Sequence, residues 1–148
     1  MLALLNEEPF LRNIGDRGVR TLADAAAYIL SGPVASYEKF GFGLYAVVSK
    51  ESGETLGICG LLKRETLEDV DVGFAFLQKF WSRGYAYESA EAIMNYGWKT
   101  IGLKRIVAIT TPKNHDSIKL LEKLGLRFEK MIQMPGQAGE TALFSAEK

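Results

Sequence analysis

Residues 77-LQKFWSRGYAYESAEAI-93 set an aromatic, an arginine and a glycine between an apolar run and an amphipathic stretch. The start of a helix carries N–H groups with no partner inside the helix and the positive end of its dipole. Glycine lets a ligand come close to the backbone. Ser82, Arg83, Gly84, Tyr85 and Ala86 stand at such a start, and a pyrophosphate is the guest that this chemistry suits. Lys79 and Arg83 add positive charge beside it. Neither G-x-G-x-x-G nor Gly-Lys-Ser/Thr occurs, which argues against a Rossmann site and excludes a P-loop. One glycine between a strand and a helix is a weak signal by itself, since most such junctions bind nothing.

Two other places carry reactive groups. In 70-VDVGFAFL-77, alternate residues of a strand share a face. Val70, Val72, Phe74 and Phe76 lie on one side; Asp71, Gly73, Ala75 and Leu77 lie on the other. The second face is acidic at one end and nearly bare in the middle, which admits a ligand or another element. A helix laid on Gly73 and Ala75 explains it equally, with Asp71 a strand-end charge. In 110-TTPKNHDSIKLLEKLG-125, Ser117 shares a helical face with Leu120, Leu121 and Leu124. A hydroxyl on an apolar face needs a partner; the carbonyl one turn back would serve. Asn114 has the place of a helix N-cap. Cys59, inside an apolar run, reads as a core thiol, and His115 as a solvated first-turn residue.

These groups need elements to hold them. Residues 2–12 read as a helix. Thr21 and Asp24 form a capping-box pattern for a second helix through about Leu30, which Gly32 and Pro33 are expected to end. Residues 43–50 and 55–63 read as a hairpin around 51-ESGE-54, and 70–77 as a third strand. A helix runs from about Gly84 to Thr100 on the spacing of Ala86, Ala90, Ile93 and Gly97, and Gly102 stops it. The strand 104–110 is nearly continuous in apolar residues, so both its faces should be covered. A helix from His115 to Leu124 and two strands, 126–134 and 140–146, complete the chain. The order implies an α/β (α+β) fold, a mixed sheet with helices on both faces.

Length and composition bound the rest. The 148 residues suit one domain, 1–148. The 18 Lys+Arg and 18 Asp+Glu cancel, and no basic stripe with interleaved aromatics appears, so nucleic acid is not an expected partner. A single Cys and a single His argue against a disulfide or a His-rich metal site, and point to a reducing, cytoplasmic setting. No apolar run is long enough to span a bilayer, and the N-terminus does not read as a signal peptide.

In order and in residues, 71-DVGFAFLQKFWSRGYAYESAEAIMNYG-97 and 102-GLKRIVAITTPKNHDSIKLLEKLGLRFE-129 resemble the GNAT superfamily of acetyl-CoA-dependent N-acetyltransferases, and within it the RimJ/RimL-type branch. The resemblance extends over residues 2–146 and is strongest over 71–129. It departs in two ways. Trp81 opens the loop where the wider family often has Gln or Arg, and no strand is read before Leu2. The resemblance implies the GNAT fold, a mostly antiparallel sheet whose two central strands splay apart. It implies acetyl-CoA as cosubstrate and no metal. The pantetheine arm would pair with backbone near Phe76 and Leu77. The pyrophosphate would rest on the loop Trp81, Ser82, Arg83, Gly84, Tyr85 and Ala86. Asn114 would reach the pantetheine or the acyl end. Asp71 would act as base, directly or through water, and Ser117 would serve the leaving thiolate, with Tyr85 and Tyr87 as second choices. The acceptor would be a primary amine of a small molecule or peptide, and the protein a monomer or homodimer. A non-catalytic acyl-CoA-binding module on the same scaffold is the alternative.

Overall fold

A computed structural model describes residues 1–148. The elements are α1 (Leu2–Leu5), α2 (Glu8–Asn13), α3 (Leu22–Ile29), α4 (Ala35–Phe40), β1 (Leu44–Val48), β2 (Thr55–Leu62), β3 (Asp71–Phe76), α5 (Tyr85–Tyr96), β4 (Arg105–Thr110), α6 (His115–Lys123), β5 (Arg127–Ile132) and β6 (Thr141–Glu147). The sheet has the order β1-β2-β3-β4-β6-β5. Every neighbouring pair is antiparallel except β3 and β4, which run parallel.

The strands and the helices α5 and α6 lie where the apolar spacing predicts. The N-terminal third differs. The expected helix over 2–12 is two helices, because Pro9 cannot continue the first and sits instead in the first turn of α2. The Asn6 amide fills the break, donating to the Leu2 and Val19 carbonyls at 2.8 and 2.7 Å. Gly32 and Pro33 do not stop the second helix. A π turn over Leu30–Val34 carries the chain into α4, which ends at Gly41 in the left-handed region, φ 82°. The widened turn alters the hydrogen-bond ladder around Pro33, which lacks an N–H. The capping box at Thr21 is present, with both reciprocal bonds made. Helix α5 likewise passes into a π turn, Gly97–Ile101, before Gly102 stops it at φ 81°.

The sheet separates two apolar layers. Cys59, Leu61, Val72, Ile106 and Ala108 meet Ala90 and Met94 of α5 and Leu121 of α6. Ile58 and Ala75, on the opposite face, meet Leu4, Leu5, Phe10 and Ala25 of the N-terminal helices. Strand β4 is covered on both sides, as its composition requires, with Ile106, Val107 and Ala108 all buried. Gly97 allows α5 to approach β4: a Cβ there would lie 3.0 Å from Ile106 Cδ1. No helix is long and apolar enough to cross a membrane.

Candidate active site

The two parallel strands touch at one place. Asp71 stands opposite Val107, and the Val107 N–H donates to the Val70 carbonyl at 3.0 Å. Beyond that pair β3 and β4 part, while β3 remains in register with β2 along its length. Backbone polar groups of successive strand residues turn to opposite edges. The Leu77 N–H donates to Leu56 of β2, and the Val70 carbonyl faces β4. By this parity Val72 turns its N–H to β4 at the Asp71–Val107 pair, and beyond it the N–H groups of Phe74 and Phe76 face the gap. The Leu77 amide is committed to β2, while Phe74 and Phe76 turn their N–H groups toward the opening.

The mouth of the gap is built from two loops. After β3, a single 3-10 turn, Gln78–Phe80, leads to Trp81, whose indole donates to the Phe76 carbonyl at 2.8 Å. Trp81 therefore anchors the loop to the end of β3. Ser82 and Gly84 both take positive φ, 61° and 85°, which rotates the backbone between them. Gly84 is the N-cap of α5 and no side chain caps that helix. The amides of Ser82 to Ala86 donate to no acceptor in the chain. Glu7 ties the loop to the N-terminal helices, its carboxylate accepting from the Gln78 amide at 2.9 Å. The Phe80 ring lies beneath Lys79 and Arg83, with their charged groups 5.0 and 6.0 Å from its centre.

The second loop follows β4. Asn114 caps α6, its carbonyl oxygen accepting from the Ser117 amide at 3.3 Å. That is the structural role its position suggested, and it leaves the Asn114 NH₂ free. Ser117 behaves differently from Ser89. The Ser89 hydroxyl donates to the Tyr85 carbonyl one turn back at 2.7 Å. The half-buried Ser117 hydroxyl makes no such bond. Of the alternative acids, Tyr87 donates to Glu91 at 2.7 Å, which holds it above the usual phenol range, and Lys123 covers its ring at 4.2 Å. Tyr85 stands edge-on to Phe80.

Asp71 is only 1% exposed. Its carboxylate accepts from Arg64 Nε at 3.1 Å, and the Arg64 side chain is itself 35% exposed. Burial raises the Asp71 carboxyl above the usual range, while the Arg64 charge opposes that rise. Burial prevails because the contact is through one nitrogen of a guanidinium that water still reaches. Two cavities flank this pair. One, of about 310 Å³, lies under α3 and α4 and is lined by Leu62, the residue opposite Asp71 on β2. The other, of about 560 Å³, is lined by Val107, the residue opposite Asp71 on β4. The bare stripe on β3 is filled from within: a Cβ at Gly73 would meet Leu62 and Leu44, and Ala75 packs with the N-terminal helices.

Sequence reasoning missed Arg64. The hairpin register carries the signal: Leu62 opposes Asp71, so the residue two further along β2's line can fold back over that carboxylate. Cys59 is buried at 1% exposure, and burial pushes its thiol up to about 12. A thiol so held is no nucleophile. Cys59→Ala should leave turnover unchanged and cost about 1 kcal/mol of stability. A thiol-release assay beside urea unfolding checks this; lost turnover in a folded variant would bring the thiol into the chemistry.

A family model described as an acetyltransferase (GNAT) domain matches residues 1–127. The chain belongs to this family. It is 31% identical over 112 residues to an uncharacterized N-acetyltransferase, YnaD, of Bacillus subtilis (strain 168), a match covering 76% of this chain and 63% of that protein. It spans about three fifths of the length of the first curated relatives it matches. Its fold is shared with an acetyltransferase from Agrobacterium tumefaciens str. C58, with a TM-score of 0.81 at 20% identity over 99% of this chain and 82% of that one. It is shared too with RimL, a ribosomal L7/L12 α-N-protein acetyltransferase in complex with coenzyme A, with a TM-score of 0.75 at 13% identity over 89% and 76% of the two chains.

Proposed function

We propose that this chain transfers an acetyl group from acetyl-CoA to a primary amine, by direct attack in a ternary complex, as the RimJ/RimL-type branch does. The observation that carries the reading is the parting of β3 and β4 beyond the Asp71–Val107 pair, with the unbonded amides of Ser82 to Ala86 at the opening. Family membership and the coenzyme A bound to RimL support it.

The residues present fit the cosubstrate. An extended arm can pair with the gap-facing N–H groups of Phe74 and Phe76, and the amides of Ser82 to Ala86 suit two phosphates. Acetyl-CoA supplies an activated thioester carbonyl. The gap-facing N–H groups stabilise negative charge that develops on its oxygen. The acceptor must be neutral to attack, and Asp71 takes its proton. The Ser117 hydroxyl offers a hydrogen bond to the leaving sulfur. Holding the reactants together supplies much of the rate. Ser117→Ala should lower kcat about tenfold or more and leave acetyl-CoA affinity unchanged. Steady-state kinetics beside calorimetry tests that division; an unchanged kcat would remove Ser117 from the chemistry.

The second reading is an acyl-CoA-binding module without turnover. The closure of Asp71 by Arg64 favours it. Calorimetric titration with acetyl-CoA, with ATP and NAD as controls, tests the shared part of both readings. An amine screen that follows thiol release separates them. Binding of acetyl-CoA alone with amine-dependent release supports the enzyme. Binding without release leaves the module, and no binding overturns both.

A further inference from the structure

We propose that Arg64 stands where the ammonium group of an acceptor must stand, so that turnover begins when its side chain swings out and a cationic alkylamine takes its place against Asp71. The inference rests on the acetyl-transfer reading above.

The contacts around Asp71 leave one way in. Leu62 faces it from β2 and Val107 from β4. Gly73, on the same face of β3, lies under Leu62 and Leu44. The charged groups facing it are Arg64 and, more weakly, Lys63. Lys63 cannot take over, because its Nζ is held by the Leu67 and Arg64 carbonyls at 2.6 and 3.2 Å. The only side chain bonded to the carboxylate is therefore one that water reaches.

Along the chain, Arg64 falls between the residues that line the two cavities. Lys63 lines the smaller one, and Thr66 to Asp69 line the larger. Arg64 lies between these stretches and reaches inward to Asp71. The loop backbone is stapled at both ends, by Lys63 to Leu67 and by Asp69 to Arg105 at 3.0 Å. Movement thus falls to the Arg64 side chain alone. Swinging it out uncovers Asp71, whose one side-chain partner it is.

The exchange also keeps the charges balanced. A buried carboxylate without a cation is strongly disfavoured. An acceptor arriving as an ammonium replaces the departing guanidinium, then gives its proton to the carboxylate. Burial favours that neutral acid. The amine is left neutral, and the proton leaves to solvent when Arg64 returns. Alkylamines, charged at neutral pH, fit this device. Arylamines, uncharged there, do not.

The test uses Arg64→Ala, with Arg64→Gln as the variant that keeps a hydrogen bond should the first not fold. Thermal unfolding is followed near neutral pH with ethylammonium chloride or aniline at matched concentration and ionic strength. Ethylammonium should raise the Tm of the variant by about 3 °C or more relative to its effect on the parent, and aniline should not. The double variant Arg64→Ala/Asp71→Asn should not respond. Equal responses from single and double variants, or an equal response to aniline, would overturn the inference. Acetyl-CoA titration of the same proteins keeps the two claims apart. A parent chain that fails to bind it removes the acetyl-transfer reading, whatever ethylammonium does. Intact acetyl-CoA binding with no ammonium response removes the role of Arg64 alone.

Discussion

Asp71→Asn is expected to bind acetyl-CoA as the parent does and to acetylate amines roughly 10²- to 10⁴-fold more slowly at neutral pH. The amide cannot take the acceptor's proton, yet it has nearly the shape of the carboxylate and fits the same buried place. The fold should tolerate it. Arg64 is left without its partner, but that side chain is 35% exposed and water solvates it. The converse change is harsher: removing Arg64 leaves a buried charge alone, a defect of about 3–5 kcal/mol in comparable buried pairs.

The pH dependence follows from the direction of the Asp71 shift. Its folded pKa is raised above the ordinary 3.8 by burial, against the opposing Arg64. In the folded chain the carboxyl therefore holds its proton over a range where the unfolded chain has lost it. Its contribution to stability is fully present below that ordinary value and is lost as pH rises through the folded one. Parent stability should fall over that window relative to Asp71→Asn. Parent turnover should rise over the same window as the base ionises, and the variant's profile should lack that limb. Urea unfolding and rate–pH profiles of the two proteins decide the matter. Turnover within a few-fold of the parent would leave Asp71 as a strand-end charge held by Arg64.

The half of the chain that forms the proposed cosubstrate site was largely legible in the sequence, because local signals there agree. Ala90 and Gly97 recur at helical spacing on α5, and Gly102 and Gly125 close α5 and α6 as their positions suggest. Apolar continuity marked β4 as a central strand. The N-terminal helices were less legible. Pro33 is a helix breaker by local rules, and a π turn carries the chain past it. The break at Asn6 depends on a bond to Val19, thirteen residues away, which no local window contains. The commitment of the Leu77 amide to β2 was hidden for a subtler reason. Strand parity tells which face a side chain takes, but the edge to which an amide turns is known only when the neighbouring strand is placed. Arg64 combined both difficulties: it sits in a loop, and its partner is buried by two strands that meet only in three dimensions.

Gly84→Glu is expected to weaken acetyl-CoA at least about 100-fold while leaving the fold in place. Gly84 has φ 85°, a conformation that costs a residue with a Cβ about 1–2 kcal/mol. No atom lies within 4 Å of a Cβ built there, so the penalty is backbone strain and not collision. Strain alone, as in Gly84→Ala, should raise Kd about tenfold, since the loop relaxes and turns some amides away. Glutamate adds a carboxylate at the amides of Ser82 to Ala86. It satisfies the very donors that a pyrophosphate needs, and it repels that anion. The same carboxylate lies favourably at the start of α5, offsetting part of the strain, so Tm should move little. Arg83→Ala separates charge from backbone: it removes a cation but leaves every amide in place, and only a few-fold loss should follow, diminishing with added salt. Calorimetry on the three variants reads the order directly. A Kd that follows Arg83 more than Gly84 would mean that side-chain charge, not the backbone amides, holds the phosphates.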